Sequence, residues 1–166
     1  VYRVSKMAFR ALILPARVPQ RPYSHPSYEP LWAAIQETGL SANLHAATGH
    51  EPRVEQDPGG AVMNFLLYAE GDGPYLVAHL CASGVLERYP GIHFVTVETA
   101  SAWLGWVLQS MDQIYRKHHM WVNPRLDMLP SEYWRRQGHV TFQDDKVGIA
   151  NRHFTGVRTL LWGNDY

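Results

Sequence analysis

The sequence is short of several things, and each shortage sets aside a class of protein. It has one cysteine, Cys81. No disulfide can form within the chain, which fits a reducing, cytoplasmic compartment better than a secreted scaffold. Cys81 lies in the apolar stretch LVAHLCASGVL, where a small buried hydrophobe is the expected role. There is no excess of either charge: 15 basic and 15 acidic side chains give a formal net charge of +0. That argues against nucleic acid or an anionic membrane as partner, since both need a basic footprint. No run of about 18 apolar residues occurs, so no transmembrane helix is expected. The opening residues, VYRVSKMAFRALIL, are punctuated by basic side chains and lack the small-residue cleavage site of a signal peptide. Neither G-x-G-x-x-G nor G-x-x-x-x-G-K-[ST] occurs, which sets aside a flavodoxin-like or other phosphate-loop binding domain.

What is present reads as one globular domain spanning residues 1–166, with 46% hydrophobic and 18% charged side chains. Short apolar runs of strand length occur at 9–14, 41–45, 93–97, 139–142 and 159–162. They are near-continuous rather than alternating, which suits parallel strands covered on both faces. Helical patterns fall between them at 30–38, 75–89, 101–120, 131–136 and 147–154. In the third, Leu104, Val107, Leu108, Met111, Ile114 and Tyr115 recur at three- and four-residue spacing. Strand and helix in alternation predict βα units and a parallel sheet. Five strands do not close a barrel, and a doubly wound sheet fits the same rhythm. The chain opens in what reads as a helix tail and stops soon after the last strand, so a truncated barrel is the expectation.

Polar groups recur where the apolar strands end: Arg17, His45, Glu98, Gln143 or Asp144, and Asp165. In a βα barrel such positions converge on one mouth, the functional face. His45 is a candidate metal ligand, or a strand-end histidine bonded to a carbonyl. Asp165, after Gly163-Asn164, is a candidate ligand or proton acceptor, or a turn aspartate. Glu98 sits flush against a buried strand, which calls for a function or for an arginine partner. Arg17, Arg21 and Arg53 are candidate contacts for an acidic substrate, or solvated loop charges. Adjacent His118 and His119 suit a helix end. The remaining histidines, His25, His50, His79, His93, His139 and His153, read as surface or packing residues.

The segments LPARVPQRPYSHPSYEPLWAAIQETGL, SGVLERYPGIHFVTVE, MLPSEYWRRQGHVTFQDD and LLWGNDY, in that order, resemble the amidohydrolase-related family, which includes aminocarboxymuconate-semialdehyde decarboxylase and aromatic-acid decarboxylases. The resemblance implies a (β/α)8 barrel with zinc or manganese, of which this chain spans about strands four to eight. It places His45 at the metal-binding histidine of strand five and Asp165 at the strand-eight aspartate, which binds the metal or activates its water. Glu98 stands where decarboxylase relatives have a histidine, and Asn164 where serine or threonine is usual. The family's strand-one His-x-His pair has no counterpart. The activity implied is a metal-dependent hydrolase or non-oxidative decarboxylase acting on a small carboxylic acid, amide or ester. Its partner is a small molecule, and a homo-oligomer at full length is compatible with the reading. The alternative is a catalytically incomplete fragment. With only His45 and Asp165 as supported ligands, the 166-residue chain alone is expected to lack activity.

Overall fold

The apolar runs are too short for helices and pair instead as strands. The computed structural model describes residues 1–118 and 120–165. Five strands form one sheet: β1 (Ala11–Pro15), β2 (Ser41–His45), β3 (Phe94–Val97), β4 (Gly138–Phe142) and β5 (Leu160–Trp162). Their order in the sheet is their order in the chain, and every neighbouring pair is parallel. A doubly wound sheet reverses order at a switch point, whereas a barrel wall runs on in sequence. The ambiguity left by the rhythm is thereby resolved in favour of a partial (β/α)8 barrel.

Parallel neighbours need a crossover each, and helices supply them. A short α1 (Tyr2–Ser5) precedes β1, and α2 (Glu29–Thr38) links β1 to β2. Between β2 and β3 come α3 (Gly60–Met63), α4 (Asp72–Ala82) and α5 (Val85–Arg88). Then α6 (Leu104–Lys117) and α7 (Pro130–Gln137) precede β4, and α8 (Lys146–Ala150) and α9 (Arg152–Thr155) precede β5. The long helix expected over 75–89 is two helices. Gly84, at φ 78°, breaks it, and a side chain there would meet the Pro124 ring. The helix expected over 147–154 is likewise divided at Asn151. Residues 60–69 are helical, a feature the turn-rich GHEPRVEQDPGG stretch concealed; α3 continues into a widened turn in which Glu70 N–H donates to Phe65 O (2.8 Å). His118 is exposed at the end of α6, while His119 lies outside the described residues. No helix among the described residues is long and apolar enough to cross a membrane.

Register shows which face of the sheet the helices cover. Ala42, Leu44, Phe94 and Val140 all belong to the central core, packed with Trp32 and Ile35 of α2, Leu76 and Leu80 of α4, Leu104 and Leu108 of α6 and Trp134 of α7. Side chains alternate along a strand, so Asn43, His45, Val95, Val97, His139 and Thr141 face the other way. That second face is less covered: Ile13, in register with Asn43, is 75% exposed. Cover on both faces was expected from the runs; among the described residues helices pack on one. The second face corresponds to a barrel interior, and His45 is on it. Cys81 is buried in the core, where desolvation pushes its thiol up, so it behaves as a small hydrophobe.

Candidate functional site

The candidate side chains are carried by the carboxyl ends of the strands. His45 is the last residue of β2, paired in register with Pro15 and Val97. Glu98 follows β3 directly. Because β2 and β3 are neighbours, the two side chains meet: His45 Nε2 lies 2.9 Å from Glu98 Oε1. The other ring nitrogen, Nδ1, lies 3.0 Å from the carbonyl of Ala46. Both ring nitrogens face oxygens, and a neutral ring donates to only one; with Nδ1–H given to the carbonyl, Nε2 is left as the free acceptor, the arrangement by which a backbone acceptor orients a metal-binding imidazole. Glu98 was expected to be buried, and either functional or paired with an arginine. Its partner is His45 instead, and its side chain is 38% exposed. The pair sits at the rim.

The backbone at this rim is unusual. Ala47 (φ 59°), Glu98 (φ 57°), Ala100 (φ 53°) and Asp165 (φ 65°) all occupy the left-handed region, and all follow strands. Non-glycine residues rarely stay there unless the surroundings hold them, and such positions gather at functional sites. The bracing is visible. Glu98 N–H donates to Thr141 Oγ1 of β4 (2.9 Å). Asp145 receives Ser101 N–H (2.6 Å), the Ser101 hydroxyl (2.8 Å) and Gly148 N–H (2.8 Å), so one carboxylate caps α8 and ties down the turn after Glu98. Gln143 and Asp144 were the strand-end candidates on β4, but both are exposed, and Asp145 carries these bonds.

Burial alone would raise the Asp145 carboxyl, but the donated hydrogen bonds from Gly148, Ser101 and Ala102 hold it below the ordinary aspartate value. A carboxyl depressed in the folded state stabilises fully above its unfolded value, about 3.9, and that stability is lost as pH falls through the folded value. Asp145→Ala is therefore expected to lower unfolding free energy by about 1–2 kcal/mol near neutral pH. The gap to wild type should narrow as pH falls below about 4. Urea unfolding at several pH values measures both, and a gap that stays constant down to the acid limit would show that the charge is not what Asp145 contributes.

A second cluster escaped the sequence reading. Asp72, the first residue of α4, is wholly buried and binds Arg17 Nε (2.6 Å), His50 Nε2 (3.0 Å) and Ala47 N–H (2.9 Å). The Arg17 guanidinium lies 3.6 Å over the Tyr75 ring. Arg17, His50, Tyr68 and Tyr75 line a cleft of about 680 Å³. Arg17 thus sits beside the mouth, at the end of β1, as its strand-end position suggested. His50, read as a surface or packing residue, is instead tied to a buried carboxylate.

Asp165 lies three residues beyond β5, exposed, at the same end of the sheet but two strands from Glu98. No hydrogen bond or ion pair joins it to His45 or Glu98. Among the described residues, no three His, Cys, Asp or Glu side chains gather as a metal site.

No family model matches the sequence, and no curated protein matches it. Solved structures do. 5-Carboxyvanillate decarboxylase LigW from Sphingomonas paucimobilis matches with a TM-score of 0.81 at 21% identity, over 99% of this chain and 50% of that one. An amidohydrolase from Mycobacterium avium subsp. paratuberculosis matches with a TM-score of 0.80 at 18% identity, over 99% and 44%. A dihydroxybenzoic acid decarboxylase from Polaromonas sp., solved with manganese and 2-nitroresorcinol, matches with a TM-score of 0.69 at 16% identity, over 98% and 52%. The chain spans about half the length of the solved structures it matches. Over that half, it has the fold of these amidohydrolase and decarboxylase barrels.

Proposed function

We propose that the chain forms strands four to eight of a metal-dependent hydrolase or non-oxidative decarboxylase acting on a small carboxylic acid, amide or ester, with an aromatic acid the foremost candidate. The observation that carries this reading is the His45–Glu98 pair, 2.9 Å apart across neighbouring strands at the carboxyl end of the sheet. That end is where βα-barrel enzymes carry their chemistry. The decarboxylases among the matching structures are named for aromatic acids, and the Polaromonas enzyme was solved with manganese. These support an aromatic acid as the substrate class and a divalent metal; manganese or zinc is proposed.

The donor chemistry fits such an ion in part. His45 presents an oriented Nε2 and Glu98 an oxygen beside it, both suited to zinc or manganese. A catalytic zinc site usually takes three protein ligands. The described residues do not gather three, so the remaining donors are assigned to polypeptide outside these 166 residues. A bound divalent ion supplies polarisation of a carboxylate or carbonyl and a more acidic water. The side chains have separate parts. His45 is held as a ligand by the Ala46 carbonyl. Glu98, partly exposed at the rim, is placed to take or return a proton. Asp165 is a further ligand or the proton shuttle. Arg17 supplies positive charge for the substrate's carboxylate.

One observation favours the second reading, a chain with no independent activity: among the described residues no three donor side chains gather. A single experiment addresses both. Turnover of a panel of aromatic carboxylic acids, amides and esters is measured, with manganese or zinc, for the 166-residue chain alone and for a longer polypeptide that completes the barrel. Activity only in the completed barrel, removed by chelation and restored by metal, is the expected result. Activity in neither form, with metal bound, would overturn the enzymatic reading. Ordinary turnover by the chain alone would overturn the claim that it lacks a site.

A further inference from the structure

We propose that Asp72 is the positioning residue of this mouth: one buried carboxylate sets both the turn that carries His45 and the guanidinium that borders the adjoining cleft. The proposal rests on the reading of His45 as part of the reacting centre. The Asp72 side chain is 0% exposed. A carboxylate that deep persists only when its oxygens are filled by donors. Here the donors come from two loops. Arg17 Nε donates to Oδ1 (2.6 Å) from the segment after β1. Ala47 N–H donates to Oδ2 (2.9 Å) from the turn after β2. His50 Nε2, further along that turn, lies 3.1 and 3.0 Å from the two oxygens.

Each bond has a consequence at the mouth. Ala47, two residues past His45, sits at φ 59°, where an L residue with a Cβ is strained. The bond to Asp72 holds it there. Thr48 closes the same turn: its hydroxyl donates to the His45 carbonyl (2.5 Å) and accepts from Ala16 N–H (2.8 Å). Gly49 follows at φ 81°, so close to the Arg17 carbonyl that a Cβ would stand 1.8 Å from its oxygen. The backbone that aims the imidazole at Glu98 is therefore anchored on Asp72. On the other side, the same carboxylate holds the Arg17 guanidinium over Tyr75, 3.6 Å from the ring centroid. The Arg17 side chain keeps 31% of its surface exposed and, with His50, lines the cleft of about 680 Å³. A cation held in place before a ligand arrives loses less freedom on binding than one on a free stem.

A plain structural staple would hold the two loops together without setting either group, and the two roles separate experimentally. The readouts are hydrogen exchange of the Ala47 amide and the Arg17 Nε–H, and the ring carbon–proton NMR signals of His45, on the isotope-labelled full chain at one fixed pH. In the wild type both N–H groups should exchange at least about tenfold more slowly than in an open peptide. The amide of Asp72→Asn offers one uncharged acceptor oxygen where two carboxylate oxygens met three donors, so it cannot serve Arg17, His50 and Ala47 together, and every bond that persists is weakened. Arg17 Nε–H protection should then fall about tenfold or more, and the His45 ring signals should shift. Adding Ala47→Gly removes the strain of the left-handed turn, because glycine holds that conformation freely. The His45 signals should then return toward their wild-type positions while Arg17 stays unprotected. Unmoved His45 signals in Asp72→Asn, or no return with Ala47→Gly, would overturn the proposal. If Asp72→Asn does not fold, Asp72→Glu takes its place, with the carboxylate moved by one methylene: shifted His45 ring signals uphold the proposal, and unmoved signals overturn it. None of these readouts needs metal or turnover, so failure here is distinguishable from failure of the proposed activity.

Discussion

Trp134→Ala is expected to lower the unfolding free energy of the chain by about 3–5 kcal/mol. Trp134 lies on α7, is 0% exposed, and packs edge-on against Phe94 of β3 with ring centroids 5.7 Å apart. Its ring also fills the space above Gly138, where a Cβ would meet it at 2.2 Å, so α7 and the first residue of β4 are fitted to this one side chain. Its indole N–H donates to the Thr155 carbonyl (3.1 Å), which links α7 to the end of α9. Truncation removes the burial, leaves a cavity that the sheet cannot collapse into, and leaves a buried carbonyl without its donor. Domains of this kind have a total stability of about 5–15 kcal/mol, so such a loss takes much of it. Urea unfolding measures the change. A value under about 1 kcal/mol would place Trp134 outside the core that positions β3 and β4.

The βα rhythm was legible because the strand runs are continuous, short and separated by periodic stretches. Parallel pairing follows from that rhythm once each crossover contains a helix; sequential order does not, since a doubly wound sheet shares the rhythm. Less of the rim was legible. His45, Glu98, Asp165 and Arg17 stand out as polar residues at strand ends, and all four lie at one end of the sheet. That His45 would touch Glu98 depends on β2 and β3 being neighbours in register, which spacing alone does not state. A function or an arginine partner was expected for Glu98 because burial was the premise; the residue is at the rim, and its partner is His45. Asp72 could not have been found. It sits in the turn-like run EGDGPY, and its partners Arg17, Ala47 and His50 are 55, 25 and 22 residues away. Asp144 and Asp145 are adjacent carboxylates after β4, and only the start of α8 decides which one caps. The helical stretch at 60–69 was hidden by Gly59 and Gly60, which read as a turn and prove to be its start.

The chemistry assigned to His45 and Glu98 is tested most directly by locating where a divalent ion settles. Manganese added below stoichiometry to the isotope-labelled chain broadens the NMR signals of nearby residues, and even weak binding by an incomplete donor set registers. The expected result is that residues 45–48 and 97–100 broaden first, and that His45→Ala abolishes this localised effect while the remaining spectrum stays that of the folded chain. Broadening centred instead on His93 and His139 at the opposite end of the sheet, or on the acidic loop at 51–57, or unchanged by His45→Ala, would contradict the assignment.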